Sequence, residues 1–128
     1  MKNGTIGVAG IALSLFAVPA LAHHSFAMFD HDKTVTLAGT LKEYEWLNPH
    51  SWVHVMVTDP ATGKIVPYSF EAGSTSQVAA RGWKIDSMKP GDKVSVTFHP
   101  LKDGSHGGQV LAVTLPDGTK LTQGPAAD

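Results

Sequence analysis

The chain has no cysteine, which removes disulfide bridges, thiolate metal sites and lipid attachment at a lipobox from consideration. It has one arginine, Arg81, and its 10 Lys+Arg are outnumbered by 11 Asp+Glu without clustering anywhere. Nucleic acid recognition needs a concentrated basic surface, so that class of partner is excluded. No apolar run reaches the roughly 20 residues that span a bilayer core. Nothing matches a G-x-S-x-G elbow, a P-loop or an H-E-x-x-H helix, and no cysteine nucleophile exists. An enzyme is therefore not expected. Internal repeats and low-complexity tracts are missing as well, which leaves one ordinary small domain.

The N-terminus carries an export signal. Lys2 supplies a short basic start, Ile6 to Val18 is apolar or small throughout, and Pro19-Ala20-Leu21-Ala22 presents small residues at −3 and −1 of a cut before His23. The expectation is a signal peptide over residues 1–22 and a mature periplasmic protein without a stable membrane anchor. An uncleaved anchor is the competing reading, and the shortness of the apolar run argues against it. Without Lys2 the charge balance becomes nine basic against eleven acidic.

Residues 23–33 read as an arm with apolar positions at Phe26, Met28 and Phe29. From Thr34 the pattern alternates: Val35, Leu37, Gly39 and Leu41 share one face, and Thr34, Thr36 and Thr40 the other. After Leu41 the phase breaks, because Glu43 and Glu45 take the formerly apolar parity. A bulge near Lys42 accounts for the break, and Gly39 eases a bend. Ser51 to Thr58 and Ile65 to Phe70 form the next strands, around the Asp59 to Gly63 turn. Ser74 and Gln77 make a capping box for a two-turn helix over about residues 75–81, with Gly82 at C′ and Trp83 packing back on Val78. Lys89-Pro90-Gly91-Asp92 has the form of a type II turn. Two more strands follow, the first with Val94, Val96 and Phe98 alternating, the second with Leu111, Val113 and Leu115. Three strands, a short helix and two strands, with a bent first strand, predict an all-β, five-stranded OB-like Greek-key barrel over residues 34–121, closed by a polar tail at 122–128. A β-sandwich or open sheet is the alternative. The predicted core is Val53, Val55, Val57, Val94, Val96, Phe98, Leu111 and Val113.

Several motifs together carry a resemblance: His23-His24-Ser25-Phe26, Asn48-Pro49-His50-Ser51-Trp52, Gly82-Trp83, Asp86-Ser87-Met88-Lys89-Pro90-Gly91-Asp92, His99-Pro100-Leu101-Lys102-Asp103-Gly104 and Leu115-Pro116-Asp117-Gly118. The chain resembles a family of small exported proteobacterial proteins of unknown function. The resemblance implies an exported domain over nearly all of the mature chain, and implies that His23, His24, His50 and His99 belong to its motifs. It implies no role for His106 and no activity.

Histidine is the residue that points to chemistry. Cleavage before His23 would join an α-amino group and an imidazole on one residue, and a further imidazole would complete a nitrogen-rich set suited to Cu(II). The candidate metal ligands are His23, His24, His50 and His99, with copper favoured over zinc as the cofactor. A frayed, solvated terminus is the simpler reading of His23 and His24. His50, between strands one and two, and His99, after strand four, sit in loops that flank the usual OB ligand face. They serve equally well as turn-capping and strand-ending residues. Trp52, His54 and Met56 alternate against the valines and form a second candidate, a ligand face for a protein or small molecule, unless the Phe26–Phe29 arm covers it. Glu43 and Glu45 read as solvated charge; paired with His50 they would suit a hydrolase, the remotest reading. The expected partner is a metal ion or a periplasmic protein.

Overall fold

The computed structural model describes residues 26–123. His23 and His24, the signal segment and most of the polar tail lie outside those residues. Six strands form: β1 (Val35–Glu45), β2 (Trp52–Thr58), β3 (Ile65–Glu71), β4 (Lys93–Pro100), β5 (Gly107–Thr114) and β6 (Lys120–Thr122), with α1 (Thr75–Ala79) between β3 and β4. The order β3-β2-β1-β4-β5 closes on itself through a parallel β3–β5 pairing, which makes the five-stranded OB-like barrel. Among the described residues no helix is long and apolar enough to cross a membrane.

β1 explains the closure. Its first half pairs with β4 and its second half with β2, so one strand serves both walls. A bulge between Leu41 and Glu43 changes the facing of the rest of the strand. Leu41 is buried at 1% exposure, and an unbroken strand would send Glu43 and Glu45 inward behind it. The extra residue, Lys42, turns both glutamates outward and Tyr44 inward against the core. Burial pushes the Tyr44 phenol well above its ordinary pKa, so it stays a neutral donor to the Lys84 carbonyl at 3.2 Å. At the parallel seam β3 and β5 approach so closely that a Cβ on Gly107 would meet the Ser69 carbonyl, and on the other side of β5 a Cβ on Gly108 would meet the carbonyl of His99 on β4.

The valines of β2 and β4 fill the barrel with Phe70, Phe98 and Trp83, all essentially inaccessible to solvent. The capping box forms with both of its hydrogen bonds. Beyond Ala79 the backbone tightens into i→i−3 bonds from Arg81 and Gly82, which is why α1 is shorter than its apolar pattern suggests. Gly82 then takes φ +89° and Trp83 N–H reaches the Val78 carbonyl at 3.1 Å, the Schellman closure.

Three expectations need correction. Leu111 does not face the core fully; it is the extra residue of a second bulge, where Thr97 pairs with Ala112 and Phe98 with Val110, and Val110 takes its buried place. Residues 120–122 form β6 outside the ring, paired to β5, because Leu121 finds a buried position there. Among the described residues the arm does not pack on the Trp52 stripe. It runs along the β4–β5 connection instead, with a Phe29–Leu101 bridge and an Asp30 N–H to Pro100 carbonyl bond of 2.8 Å.

Candidate metal centre

Antiparallel pairing places Glu43 opposite His54, and Glu45 lies two residues further along the same face of β1. The bulge thus delivers two carboxylates to one imidazole on the outside of the barrel. Ligand atoms of Glu43, Glu45 and His54 all lie within 4.8 Å of one another. They line a groove of about 370 Å³ together with Lys42, Met56 and Ser69. Among the described residues no other group of three such side chains converges this closely.

His54 Nε2 lies 2.7 Å from Glu45 Oε2, and its Nδ1 lies 2.8 Å from Ser69 Oγ. A hydroxyl can donate or accept, so Ser69 supports either neutral tautomer. The 2.7 Å contact holds a hydrogen between Nε2 and Glu45; a cation that displaced it would leave the other hydrogen on Nδ1, toward Ser69, and meet the Nε2 lone pair. Serine, histidine and glutamate in a row also suggest nucleophilic catalysis. Two features oppose it. Ser69 sits within a paired strand, its N–H bonded to the His106 carbonyl at 3.2 Å, so that amide is not free to hold an oxyanion. Glu43 and Glu45 also place negative charge where a negative transition state would develop, whereas the same charge attracts a cation.

The other candidate residues are dispersed. Trp52 and His54 stack with ring planes 9° apart, and with Met56 they form a half-buried stripe beside the cluster. His50 belongs to a different face. Its Nδ1 is 3.2 Å from Glu71 Oε1 and 3.3 Å from the Ala72 carbonyl, two acceptors that require Nδ1 to carry hydrogen. His99 Nδ1 similarly faces the Lys33 carbonyl at 2.7 Å, and its ring packs edge-on against His31 at 5.0 Å. His50 and His99 do not meet: cross-strand pairing sets Glu71 beside Gln109 and Gln109 beside His99, two strand spacings in all. His106 stacks on Tyr68 at 4.8 Å.

Glu71 was not singled out by its sequence, yet its side chain is only 9% exposed and His50 is its one ion-pair partner among the described residues. Removing that partner should be costly. His50→Ala is expected to lower stability by about 1–3 kcal/mol, the cost of stranding a buried polar group. Glu71→Gln in the same chain should recover part of that loss by removing the stranded charge. Urea denaturation of the two variants checks it; equal midpoints for wild type and His50→Ala would refute the pairing.

Comparison with curated proteins and with solved structures finds no match. Residues 12–110 match the family of unknown function DUF6152, and the chain belongs to that family.

Proposed function

We infer that this is an exported, periplasmic metal-binding module, and that its ion sits on Glu43, Glu45 and His54. The observation that carries the reading is the convergence of these three donors within 4.8 Å on one rigid strand pair. Sites built on strands hold ligand geometry better than sites on loops. Ser69 would retain the Nδ1 hydrogen while Nε2 binds the ion, the outer hydrogen bond typical of metal-bound imidazoles. Binding would replace the 2.7 Å Glu45–His54 contact, so it releases any proton held there and weakens in acid. Copper(II) heads the divalent affinity order and is the favoured ion; an imidazole with two carboxylates also accommodates zinc. Export rests on the basic start, apolar stretch and small residues of positions 1–22.

Native mass spectrometry of the exported protein with copper or zinc tests location and stoichiometry together. The expected species begins at His23 and carries one ion. By calorimetry its dissociation constant should be about 10 μM or tighter. The Glu43→Gln/Glu45→Gln pair should weaken binding at least about tenfold, since it removes both charges while preserving shape. A second variant adds one Gly before His23, which separates the terminal amine from the His23 imidazole. If the glutamine pair binds as wild type while the Gly-extended chain does not, the ion sits at the terminus and the cluster is not the site.

A further inference from the structure

On another face lies a larger cavity, about 630 Å³, within the range of small-molecule sites. His50, Glu71, Gln77, Arg81, Gln109 and Gln123 supply its polar lining. Hydrogen-bond accounting defines what it can hold. Gln123 Oε1 accepts the Gly73 N–H at 2.9 Å, and Gln77 Oε1 accepts the Ser74 N–H at 3.0 Å. A backbone N–H only donates, so both amide oxygens are committed and both NH₂ groups remain as donors. The two amides close over Gly73 so tightly that a Cβ there would stand 2.6 Å from Gln123 Nε2 and 2.7 Å from Gln77 Oε1. Glycine at this position is what seats them.

Arg81 is the chain's single arginine, and among the described residues no carboxylate pairs with it. The lining that follows α1 and β6 therefore offers a guanidinium and two amide NH₂ groups. The lining at the end of β3 offers the reverse. His50 spends its Nδ1 hydrogen on Glu71 and the Ala72 carbonyl, which leaves Nε2 as the ring nitrogen without a protein partner among the described residues, beside a nearly buried carboxylate.

We propose that this cavity binds a small organic acid bearing a hydroxyl or ammonium group a few bonds from its carboxylate. The ligand carboxylate lies against Arg81 and the glutamine amides, where a planar fork of donors matches it. Its hydroxyl or ammonium hydrogen is donated toward His50 Nε2 and Glu71. The charge of Glu71 fixes this orientation, because it repels a carboxylate at its own end. The site is separate from the Glu43–Glu45–His54 cluster and needs no metal.

Calorimetry on metal-free protein with L-lactate, L-serine and propionate tests the proposal. Lactate or serine should bind in the millimolar range or better, and propionate, which lacks the donor, about fivefold more weakly. Gln77→Glu is the decisive variant. Glutamate is a regular capping-box residue, so the Ser74 N–H keeps its acceptor and the melting temperature should hold. The donor arm, however, becomes an anionic oxygen, and affinity should fall at least about tenfold, as it should for Arg81→Gln. Binding should also shift the His50 ring nitrogen resonances. No binding of lactate or serine, or equal affinity for wild type and Gln77→Glu, overturns the proposal; propionate binding as well as lactate removes the donor requirement and overturns it in that form.

Discussion

Val55→Asp should abolish stable folding, whereas Met56→Asp, one residue along the same strand, should leave the domain folded. Val55 is 1% exposed at the barrel centre, opposite Leu41 on β1 and Tyr68 on β3. A carboxylate there has no cation to pair with and no route to water. An unpaired buried charge costs about 3–5 kcal/mol or more, a large part of the 5–15 kcal/mol that holds a typical domain together. Met56 points outward into the groove beside the two glutamates. Aspartate at that position loses partial packing and meets like charge, at a cost of about 1 kcal/mol. Circular dichroism with a urea titration separates the two; comparable losses would mean that β2 does not divide the barrel interior from the groove.

That contrast depends on a period-2 pattern, the part of the fold most readable from residue order. Val53, Val55 and Val57 and then Val94, Val96 and Phe98 alternate without interruption, and each strand faces inward as its pattern requires. The bulge at Lys42 was readable for the same reason, since glutamates falling on a leucine face demand a phase change. The bulge at Leu111 left no such mark. Val110, Leu111, Ala112 and Val113 are all apolar, so a slip of one residue exchanges one apolar side chain for another. β6 was hidden because Leu121 is its one apolar residue and its partner on β5 is set by tertiary packing.

The site was legible only in pieces. His54 and the two glutamates each stood out, but on separate strands, and their meeting depends on the β1–β2 register. That register was recoverable. Tyr44 and Val53 both turn inward, and continuing one-for-one pairing away from the loop brings Glu43 to His54. The His50–Glu71 pair offered no comparable signal, because Glu71 reaches His50 through the end of β3 rather than through a regular cross-strand position. Loop placement set His50 and His99 on loops that flank one ligand face. His50 instead lies against the end of β3, the parallel seam inserts β5 between that end and β4, and a parallel pairing between β3 and β5 has no local signature.

Replacing Trp83 should do more than open a hole. It is the largest fully buried side chain, packed by the Schellman turn and beside Tyr44, with ring centroids 6.4 Å apart. Trp83→Ala is expected to cost about 3–5 kcal/mol, the usual range for truncating a buried tryptophan. Trp83→Phe isolates a second role. The indole N–H donates to the Thr122 carbonyl at 3.0 Å and so fastens β6 to the barrel. Phenylalanine fills much of the volume but leaves that carbonyl without its donor, costing about 1 kcal/mol. The loss should appear locally: faster amide exchange at Lys120–Thr122, with the valine strands still protected. Gln123 is the next residue in the chain, and its side chain reaches the Gly73 N–H in the larger cavity. Freeing β6 therefore loosens one of the two amides that line the cavity with Arg81, and Trp83→Phe should weaken lactate or serine binding while leaving the copper binding proposed for the Glu43–Glu45–His54 cluster unchanged. Equal exchange rates in wild type and Trp83→Phe would show that Leu121, not the indole bond, holds β6 in place.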